Sequence, residues 1–175
     1  MFDMFNEENA EAMKENYSAT SSSSSGSSYS SSYNASAKGF VISVGGSVFI
    51  GEKPLTDKIS EFCSVVNDLS SEFNIVLVVG GGRTARNYQD VATTLGANNF
   101  ELDSIGIAAT KLNAKLFTYK IEKSVGVLEK VIDAKKVIEM GKIPVFGGLS
   151  EGQTTDAVGA LLAESLGYDF VNLSN

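Results

Sequence analysis

The chain has 175 residues, 43% hydrophobic and 20% charged, with 14 Lys+Arg against 21 Asp+Glu. That length suits one ordinary domain with a sizeable core and is short for two. A net charge of -7 argues against a broad basic surface for nucleic acid, no run of 18 apolar residues offers a membrane span, and no His with a single Cys (Cys63) excludes an internal disulfide and the usual zinc sites.

The first 37 residues read as an extension. Residues 1–17 carry five acids and one base, and lack the apolar stretch and cleavage site of a secretory signal. A soluble, cytoplasmic protein is therefore the expectation. Residues 18–36 contain 12 Ser and no charge, too little apolar surface to offset ordering entropy, so a disordered tether is expected. A short amphipathic helix around Met4, Phe5, Ala12 and Met13 is the alternative.

From residue 38 the pattern alternates. FVISV at 40–44 is a β-branched run that stops at Gly45-Gly46-Ser47. Thr56 is placed to cap a helix with Ile59, Phe62, Cys63, Val66 and Leu69 inward. Residues 75–79, IVLVV, read as a strand buried on both faces, ending at Gly80-Gly81-Gly82. A helix follows with Ala85, Tyr88, Val91, Ala92 and Leu95 inward and Gly96 as its stop. A third amphipathic stretch carries Ile105, Ala109, Leu112 and Leu116, with Lys111 and Lys115 on a solvated face. Residues 125–128 suggest a weaker strand, 129–140 a helix, and 143–146 a strand that ends in Gly147-Gly148. A last helix runs from about Thr155 to Gly167 and a strand begins at Phe170. Strands alternating with helices imply an α/β fold, three layers around a mainly parallel sheet.

In a parallel sheet every strand C-terminus lies on one edge, so the three glycine runs should line one crevice. Glycine brings bare N–H groups close to a ligand, although tight strand-to-helix turns also use it for steric reasons alone. A helix starting directly afterwards favours an anion such as phosphate. The chain's two arginines, Arg83 and Arg86, fall in the first turn after the middle run. Cations there oppose the helix dipole at about 0.3–1 kcal/mol each, unless a bound polyanion reverses the sign. GGGRTA matches neither GxGxxG nor GxxxxGK[ST], which disfavours a dinucleotide site and a Walker-type loop. Ser47 has no base to activate it, and Cys63 reads as plain core.

Four motifs, ISVGGSV, VVGGGRTARNY, LDSIGIAATKLNA and GGLSEGQTTDAVGALLAE, resemble in order and spacing the amino-acid-kinase superfamily, specifically the archaeal type of uridylate (UMP) kinase. The resemblance covers residues 40–175 and implies transfer of a phosphoryl group from Mg-ATP to UMP, giving UDP. Residues 38–175 would be the UMP-binding portion of such a domain. By resemblance, Gly81, Asp103, Leu149, Ser150, Glu151, Gly152, Gln153, Thr154 and Thr155 bind UMP. Ser43, Val44, Gly45, Gly46, Ser47, Gly82, Arg86, Ser174 and Asn175 face ATP. Asp103 matches the acid that takes the ribose hydroxyls, although an N-cap role is open to it, as it is to Thr154 and Thr155. Asp156 is expected to cap a helix. No acid, base or nucleophile and no resident metal site is assigned, because phosphoryl transfer needs positioning and charge neutralisation above all.

The sequence departs from the family at Ser43, where many members carry Lys, at Gln153 in place of His, and at Leu149 in place of Thr. Relatives also continue beyond position 175 through an ATP-binding segment, so a fragment of a longer enzyme is expected. The resemblance implies a homo-oligomer, a hexamer in the family. A non-catalytic nucleotide-binding or assembly subunit, and another phosphotransferase of the superfamily, are the alternatives.

Overall fold

A computed structural model describes residues 38–174; the expected extension over 1–37 and Asn175 lie outside the described residues. Among the described residues, five strands form one sheet: β1 (Gly39–Val44), β2 (Asn74–Val79), β3 (Ser124–Leu128), β4 (Ile143–Phe146) and β5 (Asp169–Leu173). Their order is β3-β4-β2-β1-β5 and every pairing is parallel. Six helices connect them: α1 (Gly46–Phe49), α2 (Thr56–Leu69), α3 (Gly82–Thr94), α4 (Asn99–Thr118), α5 (Asp133–Glu139) and α6 (Thr155–Leu166). None is long and apolar enough to cross a membrane.

The period of two along a strand divides the core into two layers. Ile42 and Val44 of β1, Ile75, Leu77 and Val79 of β2, and Ile143 and Val145 of β4 face one side. There they meet Phe49, Ile59, Cys63 and Val66 from α1 and α2, and Ala114 and Phe117 from α4. The rings of Phe49, Phe62 and Phe117 lock this layer, with centroids 5.2, 5.5 and 5.9 Å apart in tilted or edge-on geometry. Such pairs add roughly 0.5–1.5 kcal/mol each beyond area burial. Val41, Val76, Val78 and Phe146 face the opposite side, against Ala134 and Ile138 of α5 and Val158, Leu162 and Ala163 of α6. The result is the expected three-layer α/β/α sandwich.

Four local expectations are corrected. Thr56 does not cap α2; Leu55 holds the cap position without a side-chain bond, and Thr56 is the first helical residue. On α3 only Ala92 is buried, whereas Tyr88, Val91 and Leu95 are 67%, 60% and 82% exposed. The spacing placed them on one face correctly, but α3 packs along α4 rather than on the sheet, so that face meets no layer. Helix α4 does pack on the sheet, but by a face rotated from the expected one: Leu112 is exposed, and Thr110, Asn113 and Phe117 are buried instead. Lys111 is not merely solvated: its Nζ pairs with Glu129 Oε1 at 2.9 Å, and this hydrogen bond and charge hold the Glu129 carboxyl below its usual range. Gly96 at φ 93° and Gly167 at φ 68° end their helices as the sequence suggests.

Cys63 is core, 1% exposed, and burial pushes its thiol up to about 11 against a smaller opposing pull from Lys120. An unfolded thiol ionises near ~8.5, so stability falls as pH rises from there toward the folded value. An aromatic disulfide reagent at pH 8 should leave Cys63 unlabelled in the native protein and label it fully in denaturing urea. Rapid native labelling would contradict its burial.

Candidate functional site

The register of the sheet brings the glycine runs level. Val44 pairs with Val79, and Val78 pairs with Phe146, so the backbone leaves β1, β2 and β4 within one residue of the same height. Gly45-Gly46, Gly80-Gly81-Gly82 and Gly147-Gly148 therefore share one edge, as the sequence implies. The first two runs touch. A Cβ at Gly46 would collide with the backbone of Gly82, and one at Gly82 would lie 2.6 Å from the Gly46 carbonyl. Gly82 also has φ 55°, in the left-handed region that favours glycine. Gly45 donates its N–H to the Leu173 carbonyl at 2.7 Å, which ties the end of β5 to the same loop.

Helix α4 organises the other side. Asp103, Ile107, Thr110 and Asn113 recur at intervals of three or four, hence on one face. Thr110 Oγ1 accepts the N–H of Gly148 at 2.7 Å while donating to the Ile107 carbonyl at 2.6 Å. Asn113 Nδ2 donates to the carbonyls of Gly80 (3.0 Å) and Gly81 (2.9 Å). Asp103 Oδ2 accepts the N–H of Gly152 at 2.8 Å, holding the 149–154 loop against α4. Capping is done elsewhere. Asn98 caps α4 in a reciprocal box with Glu101, which removes the N-cap reading of Asp103. Gln89 of α3 completes the wall by donating to the Leu102 carbonyl at 2.9 Å.

Between these elements lies a cleft of ≈ 250 Å³. It is lined by Gly81, Gly82, Asp103, Ser150, Gln153, Thr154 and Thr155 from the sequence-based set, joined by Ala85, Gln89, Gly106, Ile107, Thr110 and Gly148. Leu149, Glu151 and Gly152 lie on the same loop but do not line it; Leu149 turns inward against the second core layer. Thr110, Asn113 and Gln89 were not singled out from the sequence. The available signal was two polar residues, Thr110 and Asn113, inside the apolar stripe formed by Ala109, Ala114 and Phe117.

The remaining expected residues sit on the β1–β5 side. Ser43 and Val44 are fully buried, Gly45 and Gly46 form the turn, and Ser47 and Ser174 are exposed. Ser43 Oγ donates to Asp156 Oδ1 at 2.6 Å. Asp156 thus does not cap α6 as expected; Thr154 does, accepting the Ala157 N–H at 3.1 Å. The hydroxyl takes Asp156 because Ser43 points to the α6 side, where the first helical turn crosses the end of β1. Arg83 and Arg86 are exposed and neither lines the cleft. Arg86 Nε reaches back to the Gly82 carbonyl at 3.4 Å, and Arg83 has no partner among the described residues. The first turn of α3 has no side-chain cap, and its leading residue, Gly82, packs against the backbone of Gly46.

Residues 38–175 match the amino acid kinase family. A uridylate kinase of Pyrococcus abyssi is 41% identical over 133 residues, covering 75% of this chain and 59% of the relative. A uridylate kinase of Methanothermobacter thermautotrophicus is likewise 41% identical over 138 residues, covering 77% and 61%. The crystal structure of a uridylate kinase from Archaeoglobus fulgidus superposes with a TM-score of 0.73 at 39% identity, over 78% of this chain and 63% of that one. The chain thus spans about three-fifths of the length of the curated relatives it matches.

Two loop anchors differ in burial, and their removal should differ in cost. Thr110→Val keeps the shape and strands the buried Gly148 N–H, a loss of about 1–3 kcal/mol. Asp103→Asn acts at an exposed bond and should stay below about 1 kcal/mol. Urea unfolding midpoints of the two variants check the ranking.

Proposed function

The chain belongs to the amino acid kinase family, and from that premise we propose that residues 38–175 form the acceptor-binding part of a UMP kinase, which moves the terminal phosphoryl group of ATP onto UMP. The observation that carries the reading is the cleft itself. Glycine backbone from two strand ends, the carboxylate of Asp103 and the threonines at the start of α6 face one space of ≈ 250 Å³. A nucleoside monophosphate needs those three things: bare N–H groups for phosphate, an acceptor for ribose hydroxyls, and polar groups for a base edge.

Asp103 gives one oxygen to Gly152 and keeps the other for a ribose hydroxyl. Gly81 and Gly82 supply backbone N–H groups for the acceptor phosphate and for the donor side respectively, and Ser150, Gln153, Thr154 and Thr155 close over the nucleotide. Gly45, Gly46 and Ser174, grouped around the end of β1, form the edge that receives ATP. Arg86 stands at the same helix start. It swings from its long bond with Gly82 toward the phosphates, where a bidentate guanidinium offsets the charge of transfer. The attacking group is a phosphate oxygen already ionised at neutral pH. A protein base is therefore dispensable, and the catalytic burden is alignment of two phosphates.

Mg²⁺ accompanying ATP is held largely by phosphate oxygens with one or two carboxylates. A single carboxylate at the start of α6, engaged through one oxygen only, suits an ion of that kind. Asp156, with Oδ1 on Ser43 and Oδ2 free, is the carboxylate that would hold it, and the ion would supply charge neutralisation between donor and acceptor.

UMP should raise the melting temperature of this chain more than CMP or GMP, by mass action on the folded state. Equal shifts for all three, or none, would remove the acceptor assignment. In a version spanning the full length of the relatives, Arg86→Ala should lower turnover at least tenfold while moving the melting temperature little; unchanged turnover would withdraw the role given to that guanidinium.

A further inference from the structure

One buried side chain at the cleft has no place in the ligand scheme. Asn113 is 2% exposed and does not line the cleft. It spends its side-chain nitrogen on two adjacent carbonyls, those of Gly80 and Gly81. Its oxygen faces the Thr84 hydroxyl, 3.5 Å away, so the amide is oriented from both ends. A buried Asn that satisfied only itself could do so with any neighbouring helix carbonyl. This one grips successive peptide groups of the glycine run.

The consequence follows from peptide geometry. Every described peptide bond is trans, so C=O and N–H of one plane point in opposite directions. Drawing the Gly80 and Gly81 carbonyls toward α4 turns the N–H of Gly81 and the N–H of Gly82 away from it. Neither of those N–H groups has an acceptor among the described residues, and both residues line the cleft. Glycine alone would let the Gly80–Gly81 plane rotate freely, whereas the Gly81 carbonyl also accepts the Ala85 N–H of α3 at 3.2 Å. The Asn113 amide removes the freedom of the first plane and reinforces the second before any ligand arrives, and preorganised donors stabilise developing charge better than donors that must turn.

We infer that Asn113 is a positioning residue, one that never touches the nucleotide and instead fixes the Gly81 and Gly82 amides as a preformed phosphate cradle. The inference rests on the acceptor reading above and assigns that site's phosphate affinity to a residue outside it.

Calorimetric titration with UMP and with uridine separates this from a purely structural role. Asn113→Leu, close in shape and without charge or donor, should weaken UMP at least tenfold and leave uridine within twofold. Asn113→Ser, which keeps one donor, should fall between and serves if the leucine variant does not fold. Equal loss of UMP and uridine, or no loss of either, overturns the inference while the acceptor reading stands. If the unaltered protein binds no UMP, the acceptor reading fails. Inorganic pyrophosphate then decides for Asn113: weaker binding in the variants supports the cradle, and absence of pyrophosphate binding in the unaltered protein overturns it.

Discussion

Backbone polar groups leaving a sheet lose their ladder partners together, and a buried loop cannot leave them unpaired. At the C-terminal edge here, three glycine runs leave the sheet almost level, and glycines bring no side chains to satisfy one another. The structure meets this demand from outside the loops. Thr110 takes one amide of the β4 run, Asn113 takes two carbonyls of the β2 run, and Asp103 takes an amide farther along. What those partners leave unsatisfied, the amides of Gly81 and Gly82, belongs to residues that line the cleft. Loop architecture and the wall of the cleft are two results of one helix face.

The strands and their order of appearance were legible because β1, β2 and β4 are short, β-branched and apolar on both faces, and only a covered parallel sheet accommodates such runs. Helix α6 was legible from its chemistry at both ends, Thr154 and Gly167. The failures share a cause. Periodicity states which residues of a helix share a face, and it is silent on whether another layer covers that face. Tyr88, Val91 and Leu95 form such a face and stand in solvent. Asp156 and Thr154 were both reasonable caps; only the sheet, by placing Ser43 beneath the first turn, decides that one caps and the other reaches down.

The site divides similarly. Glycine runs and the arginine pair are conspicuous in sequence, whereas Thr110 and Asn113 hide inside an apolar stripe, where a polar residue usually counts as noise. Their roles depend on groups some 30 to 40 positions away along the chain, which no local pattern encodes. Arg83 and Arg86 show the converse. Their place at a helix start was evident, yet they line no part of the cleft. Without a bound anion they remain beside a like-signed dipole end, a small standing cost that favours any polyanion reaching that turn.

The contact between Gly46 and Gly82 reaches into the protein's evolutionary freedom. Each backbone fills the volume that a side chain on the other would need. A substitution at either position meets main chain, which cannot shift to a new rotamer, so no single compensating change elsewhere relieves it. These two positions are closed to drift whatever ligand the crevice serves. Variation is left to the rim, through the exposed side chains of Ser150, Glu151 and Gln153, which flank Gly152 (itself held to glycine by φ 78°) and can be exchanged without disturbing the strands.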